Sequence, residues 1–494
     1  MEESRREFLK KSCCALSMTA LATQMAHLGT MSALAQKVID SEPRSEGGEN
    51  YKALVLVFLS GGVDGMNLVI PNHSNGTDFT YDMYAAERAA STLAIPQPSL
   101  LPITVPTING WSFGLNPGFG DQTGSGGNAG IHPLWAAGKL AVLPNVGSLV
   151  RPMTKTQYQN GSIQKPYQLF SHSDQVSINQ SSVANTQAFT GWGGRVSDKM
   201  TTGNNPQGLI PMVTSISGAQ LFTSGQATLP MAIANAGTSL SNVLNPSGLS
   251  GASNAAKLTA FNELRTVDLS SNYVASASHV TDLAMQANAA LQTSFTDPTG
   301  FPNSNIGLQL KQVARLIQRR LDLNINRQIF YVQLGGFDTH NNELTSHTTL
   351  ITQLSQALRA FYDNMVSQGV SDNVTTFTLS DFGRTFNPAG SGAAAGTDHA
   401  WGNVAFVMGG SVLGGDFYGI DGPNGTQYPT LIKGTGGPND TDSGTGARGR
   451  WIPTTATDQY AATLARWFGL LDSDQQAVFP NINNFTTSNL GFMG

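Results

Sequence analysis

Seven consecutive apolar residues, ALVLVFL from Ala53 to Leu59, lie between a polar stretch and Ser60-Gly61-Gly62. An apolar run of that length without polar alternation predicts a strand covered on both faces, as in the middle of a parallel sheet. Similar short runs recur at Leu140–Val146, Leu209–Ile216, Ile329–Leu334, Val374–Ser380 and Val404–Gly410. Between them the period changes to that of a helix. Ile306, Leu310, Val313, Leu316, Ile317 and Leu321 share one face over 306–323, with basic residues on the other. A second helical pattern covers 344–369 and ends at Gly369, suited to a C-cap, and a last one is ATDQYAATLARWFGLL. Strand and helix alternation predicts an α/β fold with a largely parallel central sheet and helices on both faces. Ligands of such sheets sit beyond the carboxyl ends of the strands. Residues 218–300, rich in Ser, Ala, Asn and Gly with amphipathic segments near 252–269 and 280–291, read as an inserted cap region. Residues 411–455 are turn-rich.

Composition narrows the function. Only 12% of the 494 residues are charged and the net charge is -5, so no basic surface exists to neutralise phosphates and no nucleic-acid partner is expected. The segment SRREFLK (Ser4 to Lys10) resembles the twin-arginine export motif, and an apolar run follows that ends in Ala33-Leu34-Ala35. Residues 1–35 therefore read as a signal peptide, 36–52 as a polar linker and 53–494 as the folded unit. The expected partner during export is the twin-arginine translocase, and the expected destination is the periplasm or the medium. Cys13 and Cys14 leave with the signal, so no disulfide supports the exported chain. No later window carries the roughly 18 apolar residues of a membrane span.

Carboxylates and histidines are few and fall at predicted strand ends. Asp64 follows the first apolar run, Asp338 and His340 follow IFYVQLGG, Asp381 follows VTTFTLS, and Asp398 and His399 stand just before VAFVMGG. Alone, each is an ordinary turn or cap residue. Gathered in one crevice, four carboxylates would raise each other's pKa and resist ionisation unless a cation were present. The set therefore predicts a site for one or two divalent ions such as Zn, Mn or Mg.

Four motifs in order, LVFLSGGVDGMN, QLGGFDTHNN, TLSDFGRTF and GTDHAWGN, resemble the exported family known as DUF1501, which is placed in the alkaline phosphatase-like superfamily. The resemblance implies an alkaline phosphatase-like fold acting on phosphate or sulfate esters. It implies a metal held by Asp64, Asp338, His340, Asp381 and His399, with Asp398 as a further ligand or as the carboxylate orienting His399. Asp64 resembles the aspartate that opens a second metal site. Phe382 stands where relatives carry a metal histidine, and one residue instead of three separates Asp338 from His340, so one metal or an altered pair fits better. The best nucleophile position is Ser171 in LFSHSDQ, with His172 a ligand or acid. Arg384 and Arg195 offer guanidinium forks to an oxyanion, and Asn67 a further donor. The leading expectation is an exported metal-dependent hydrolase with a small ester substrate. The alternative is a non-catalytic envelope or surface-assembly protein on a degenerate scaffold.

Overall fold

A computed structural model describes residues 51–121, 129–228, 230–240, 254–270, 272–292 and 295–494. The expected signal peptide at 1–35 and nearly all of the linker lie outside these residues. Among them, the main sheet runs in the order β11 (Thr455–Ala456), β5 (Leu140–Gly147), β10 (Asn403–Gly409), β9 (Val374–Ser380), β1 (Lys52–Ser60), β8 (Arg327–Gly335), β6 (Val213–Ser215) and β7 (Met231–Ala232). A separate antiparallel sheet holds β2 (Val69–Pro71), β4 (Trp111–Leu115) and β3 (Leu101–Val105).

β1 sits between β8 and β9 and pairs with both in parallel. Its side chains explain the unbroken apolar run. Ala53, Val55, Val57 and Leu59 join a core with Leu310, Val313, Leu354 and Phe361 of the helices Asn305–Gln318 and Glu343–Ser367. Leu54, Leu56 and Phe58 join another with Trp192, Val196, Tyr460 and Leu464 of the helices Trp192–Asn204 and Thr457–Phe468. Both faces of the strand are thus dry, and alternation has no place. The run expected at Leu209–Ile216 pairs only over Val213–Ser215, because Pro211 supplies no N–H to a ladder.

β10 is the exception to the parallel order: it runs antiparallel to both β9 and β5. Its beginning therefore lies at the edge where β1, β8 and β9 end. A parallel strand would have carried the residues before it, Asp398 and His399, to the opposite edge.

Residues 218–300 do not all stand over the sheet. β7 extends its edge in parallel with β6. The helix Ala255–Leu264 buries no residue, whereas the helix Asn272–Gln292 places Ala287 and Leu291 in the core. Arg315, from the helix Asn305–Gln318, donates to the carbonyls of Ala236 and Thr238 and pairs with Asp297. The start of the segment touches the helix His172–Ser181, where the Phe222 N–H donates to Gln180 Oε1 at 2.9 Å.

A buried polar network ties the strand ends together. Arg88, at the end of the helix Tyr81–Arg88, pairs with Asp64 through Nη1 and through Nη2 (3.1 Å), and donates to the carbonyls of Phe386 and Thr385, each at 3.1 Å. Burial, then the neighbouring Asp64 charge, push the Glu343 carboxyl well above the carboxylate range. Burial opposes ionisation of Asp64 too, but Arg88 outweighs it and Asp64 stays charged, its pKa lowered. Thr397 Oγ1 donates to Glu343 and accepts from Arg384 Nε at 3.0 Å.

Two outcomes test this packing. Replacing Arg88 by Met leaves the Asp64 charge buried without its cation, which costs about 3–5 kcal/mol. Denaturant unfolding reads that loss, and the double variant Arg88→Met/Asp64→Leu regains part of it; unchanged stability in the single variant refutes the pairing. The second concerns Asp458, in the first turn of the helix Thr457–Phe468, where burial pushes the carboxyl from 3.8 up to about 7. The folded state binds this proton more tightly than the unfolded state, so stability is greatest below the unfolded pKa and falls as pH rises to the folded one, levelling above it. Relative to Asp458→Asn, the wild-type chain loses on the order of 3–4 kcal/mol between pH 4 and pH 8, measured by unfolding across that range; parallel profiles overturn the assignment.

Candidate metal centre

The ends of β8 and β9, the loop entering β10 and the helix His172–Ser181 meet at one point. Getting the strands close enough needs glycine. Gly61, with φ +116°, lies where a Cβ would stand 2.4 Å from the Asp338 backbone nitrogen. Gly336, with φ +105°, turns the chain out of β8 so that Asp338 and His340 follow within one bend. The Thr397 N–H donates to the Thr339 carbonyl at 3.1 Å, stapling the loop before β10 to that bend.

Among the described residues, His172, His399 and Asp338 bring ligand atoms within 4.8 Å of one another, and His340 adjoins this set through His399 and Asp338. His399 Nε2 lies 3.0 Å from His172 Nε2 and 3.1 Å from His340 Nε2. Asp338 Oδ1 is 3.0 Å from His340 Nε2, 3.4 Å from His172 Nε2 and 3.6 Å from His399 Nε2. The outer nitrogens are all spoken for. His172 Nδ1 meets Asp381 Oδ2 at 2.7 Å, His340 Nδ1 meets Asp398 Oδ1 at 3.1 Å, and His399 Nδ1 meets the Phe170 carbonyl at 2.8 Å. A carbonyl only accepts, so Nδ1 of His399 carries the proton, and the carboxylates select the same tautomer on the other two rings. Nε2 of His172 and His340 is then directed at His399 Nε2 and at Asp338 Oδ1, where a proton or another cation can sit.

The charges around the cluster follow from these contacts. The Asp381 hydrogen bond, against the opposing effect of burial, draws the His172 pKa up, while burial and the neighbouring cations push that of His399 down. Burial opposes ionisation of Asp338 and Asp398, but Arg384 and Arg448 respectively outweigh it, so both pKa values are lowered. Phe382 is buried between His172 and His399 with its ring 4.7 Å from each. It fixes the two imidazoles by packing and offers no ligand atom.

The sequence-singled residues separate into roles. Asp338, His340 and His399 contribute inward atoms. Asp381 and Asp398 stand behind histidines instead, Asp381 also accepting from the Gly61 N–H at 3.1 Å and Asp398 from Arg448 Nη2 at 2.6 Å. Asp64 is outside the cluster, since Arg88 occupies its carboxylate. Arg384 is fully buried and spends its donors on Gly61, Asp338 and Thr397, so it positions Asp338 and has no fork to present to an oxyanion. Arg195 lies elsewhere, donating to the carbonyls of Val478, Thr190 and Ser181, and Asn67 donates to the Leu93 carbonyl. Ser171 precedes the helix, but its Oγ donates to Asp174 at 2.6 Å. His172, raised in the sequence only as an accessory to Ser171, is a full member of the inward set. The Phe170 carbonyl, Arg448 and Arg450 left no signal in the sequence, because their roles depend on loops folding back.

Solved structures with weak similarity include the PsFucS1 sulfatase from Pseudoalteromonas sp. (10% identity, 95% of this chain and 74% of that chain, TM-score 0.29). Ps i-CgsB in complex with k-i-k-neocarrahexaose gives 8% identity over 89% of this chain and 78% of that chain, with a TM-score of 0.30. The lipoteichoic acid synthase LtaP from Listeria monocytogenes gives 8%, 85%, 80% and 0.25 in the same order. At these scores the likenesses carry no conclusion about activity. No curated protein matches the chain. The family described as protein of unknown function (DUF1501) matches residues 51–428, well over half of the chain, and the chain belongs to that family.

Proposed function

We propose that this chain is an exported hydrolase of phosphate or sulfate esters that holds one divalent metal ion between His172, His399 and Asp338, with His340 beside them. The observation that carries the reading is the approach of His172, His399 and Asp338 ligand atoms to within 4.8 Å of one another, with Nδ1 of both histidines engaged. Unless a ring takes a proton, these atoms need a metal ion between them. Two imidazoles with one carboxylate suit Zn or Mn better than Mg, which prefers oxygen ligands. A metal ion here would supply Lewis-acid polarisation of the ester and lower the pKa of a water.

The protein side chains divide the remaining work. Asp338 and His340, 49% and 43% exposed, form the open side through which a small ester enters. Arg384 and Asp381, 0% and 2% exposed, hold Asp338 and His172 from behind. Such outer partners fix ring orientation and ligand basicity. Phe382 excludes water from the face between His172 and His399. Ser171 is turned to Asp174, which favours water over a serine as the attacking group. The non-catalytic alternative draws support from Arg88, whose guanidinium neutralises Asp64 and removes the second-cation chemistry expected there.

Metal analysis of the purified full chain tests the reading together with ester turnover. One equivalent of metal is expected, lost in His172→Ala and Asp338→Ala, and bound about 10–100-fold more weakly in Asp381→Asn. Aryl phosphate or aryl sulfate turnover is expected to follow metal content and to survive Ser171→Ala within a few-fold. Metal at trace levels in every preparation, unchanged by these substitutions, sinks the proposal; stoichiometric metal with no turnover of phosphate monoester, phosphodiester or sulfate ester leaves the non-catalytic alternative.

A further inference from the structure

Arg384, the guanidinium singled out from the sequence, is buried with its donors committed, so an anionic substrate needs its cationic contacts from elsewhere. The segment Gly446–Arg450, GARGR, provides two. Arg448 reaches Asp398, the carboxylate behind His340, and Arg450 Nε donates to the His399 carbonyl at 3.2 Å. Each guanidinium is 27% exposed. Each also keeps donors in hand: among the described residues no acceptor meets Arg448 Nη1 or Arg450 Nη2, while Arg448 spends Nη2 on Asp398 and Arg450 spends Nε and Nη1 on His399 and Asp442.

The segment is held as a rigid platform. Buried Asp440 accepts from the N–H groups of Gly434 (2.9 Å), Asp442 (3.1 Å) and Arg450 (3.2 Å). Asp442 accepts from the Arg448 N–H at 3.0 Å and faces Arg450 Nη1 at 3.3 Å. The Arg450 guanidinium also lies over the Phe170 ring at 5.2 Å, whose own carbonyl holds His399 Nδ1. Both arginines are thus pre-placed one residue behind the histidines. The segment lies beyond the stretch matched by the family, residues 51–428.

We propose that Arg448 and Arg450 form an anion clamp, beside Asp398 and the His399 backbone, that takes the non-bridging oxygens of a tetrahedral oxyanion, phosphoryl or sulfuryl; this assignment rests on the ester-hydrolase reading. Each guanidinium keeps one terminal nitrogen, Arg448 Nη1 and Arg450 Nη2, for a charge-assisted hydrogen bond to an oxyanion. Arg450 is the cleaner test because it contacts a ligand residue only through a backbone carbonyl.

Isothermal titration of inorganic phosphate and inorganic sulfate into the metal-loaded full chain, alongside metal analysis, decides the matter. Arg450→Gln is expected to keep its metal and bind the preferred anion about tenfold or more weakly, the scale of one lost charge-assisted hydrogen bond. Arg448→Lys, which keeps the charge but loses the fork, is expected to fall between wild type and Arg450→Gln. The anion with the larger loss identifies the ester group. Unchanged affinity in Arg450→Gln with metal retained overturns the clamp, as does a metal-loaded wild type that binds neither anion. Anions bound and then lost in the variant, with no ester turned over, uphold the clamp and sink the hydrolase reading instead. Ester turnover whose KM does not move in Arg450→Gln overturns the clamp alone.

Discussion

Lone pairs that face one another need a positive charge between them. His172, His340 and His399 each have Nδ1 anchored by an oxygen acceptor, so none can relieve the crowding at Nε2 by switching tautomer. Much of the surrounding structure serves that constraint: Asp381 and Asp398 behind two of the rings, the Phe170 carbonyl behind the third, Phe382 wedged between two of them, and Arg384 holding Asp338. These contacts all converge on one His/Asp cluster.

A second carboxylate centre beside it has been closed by the protein's own charge. Asp64 ends the first strand where the superfamily resemblance implied another metal, but Arg88 fills that role with a tethered guanidinium. The same burial pushes the Glu343 carboxyl up, and a chain of contacts runs from it through Thr397 and Arg384 to Asp338. Burying a charge pair is costly unless its remaining donors and acceptors are met. Here Thr385 and Phe386 supply carbonyls to Arg88, so the closure is stable and couples helix, strand ends and ligand.

Much of the architecture was legible along the chain. The run Ala53–Leu59 could only be a strand dry on both faces, and Val374–Ser380 was bounded as it folds. The helices over 306–323 and 344–369 showed their buried faces by spacing, with the first ending as a regular helix at Gln318. The Leu209–Ile216 run was overextended because an apolar proline looks like strand composition while lacking the N–H that pairing needs.

The sequence by itself determined which residue types stand at the ends of which apolar runs, because burial of those runs against water is a local property of composition. It also placed Asp338, His340 and His399 among the candidates. Tertiary structure decided the rest. Only the reversal of β10 brings His399 to the same edge as Asp338, and strand direction is set by pairing between segments distant in the chain. Whether an aspartate ligates, orients a histidine or neutralises an arginine depends on which side chain reaches it. Asp64, Asp381 and Asp398 look alike after or before a strand, and Arg88, His172 and Arg448, far away in sequence, give each a different role.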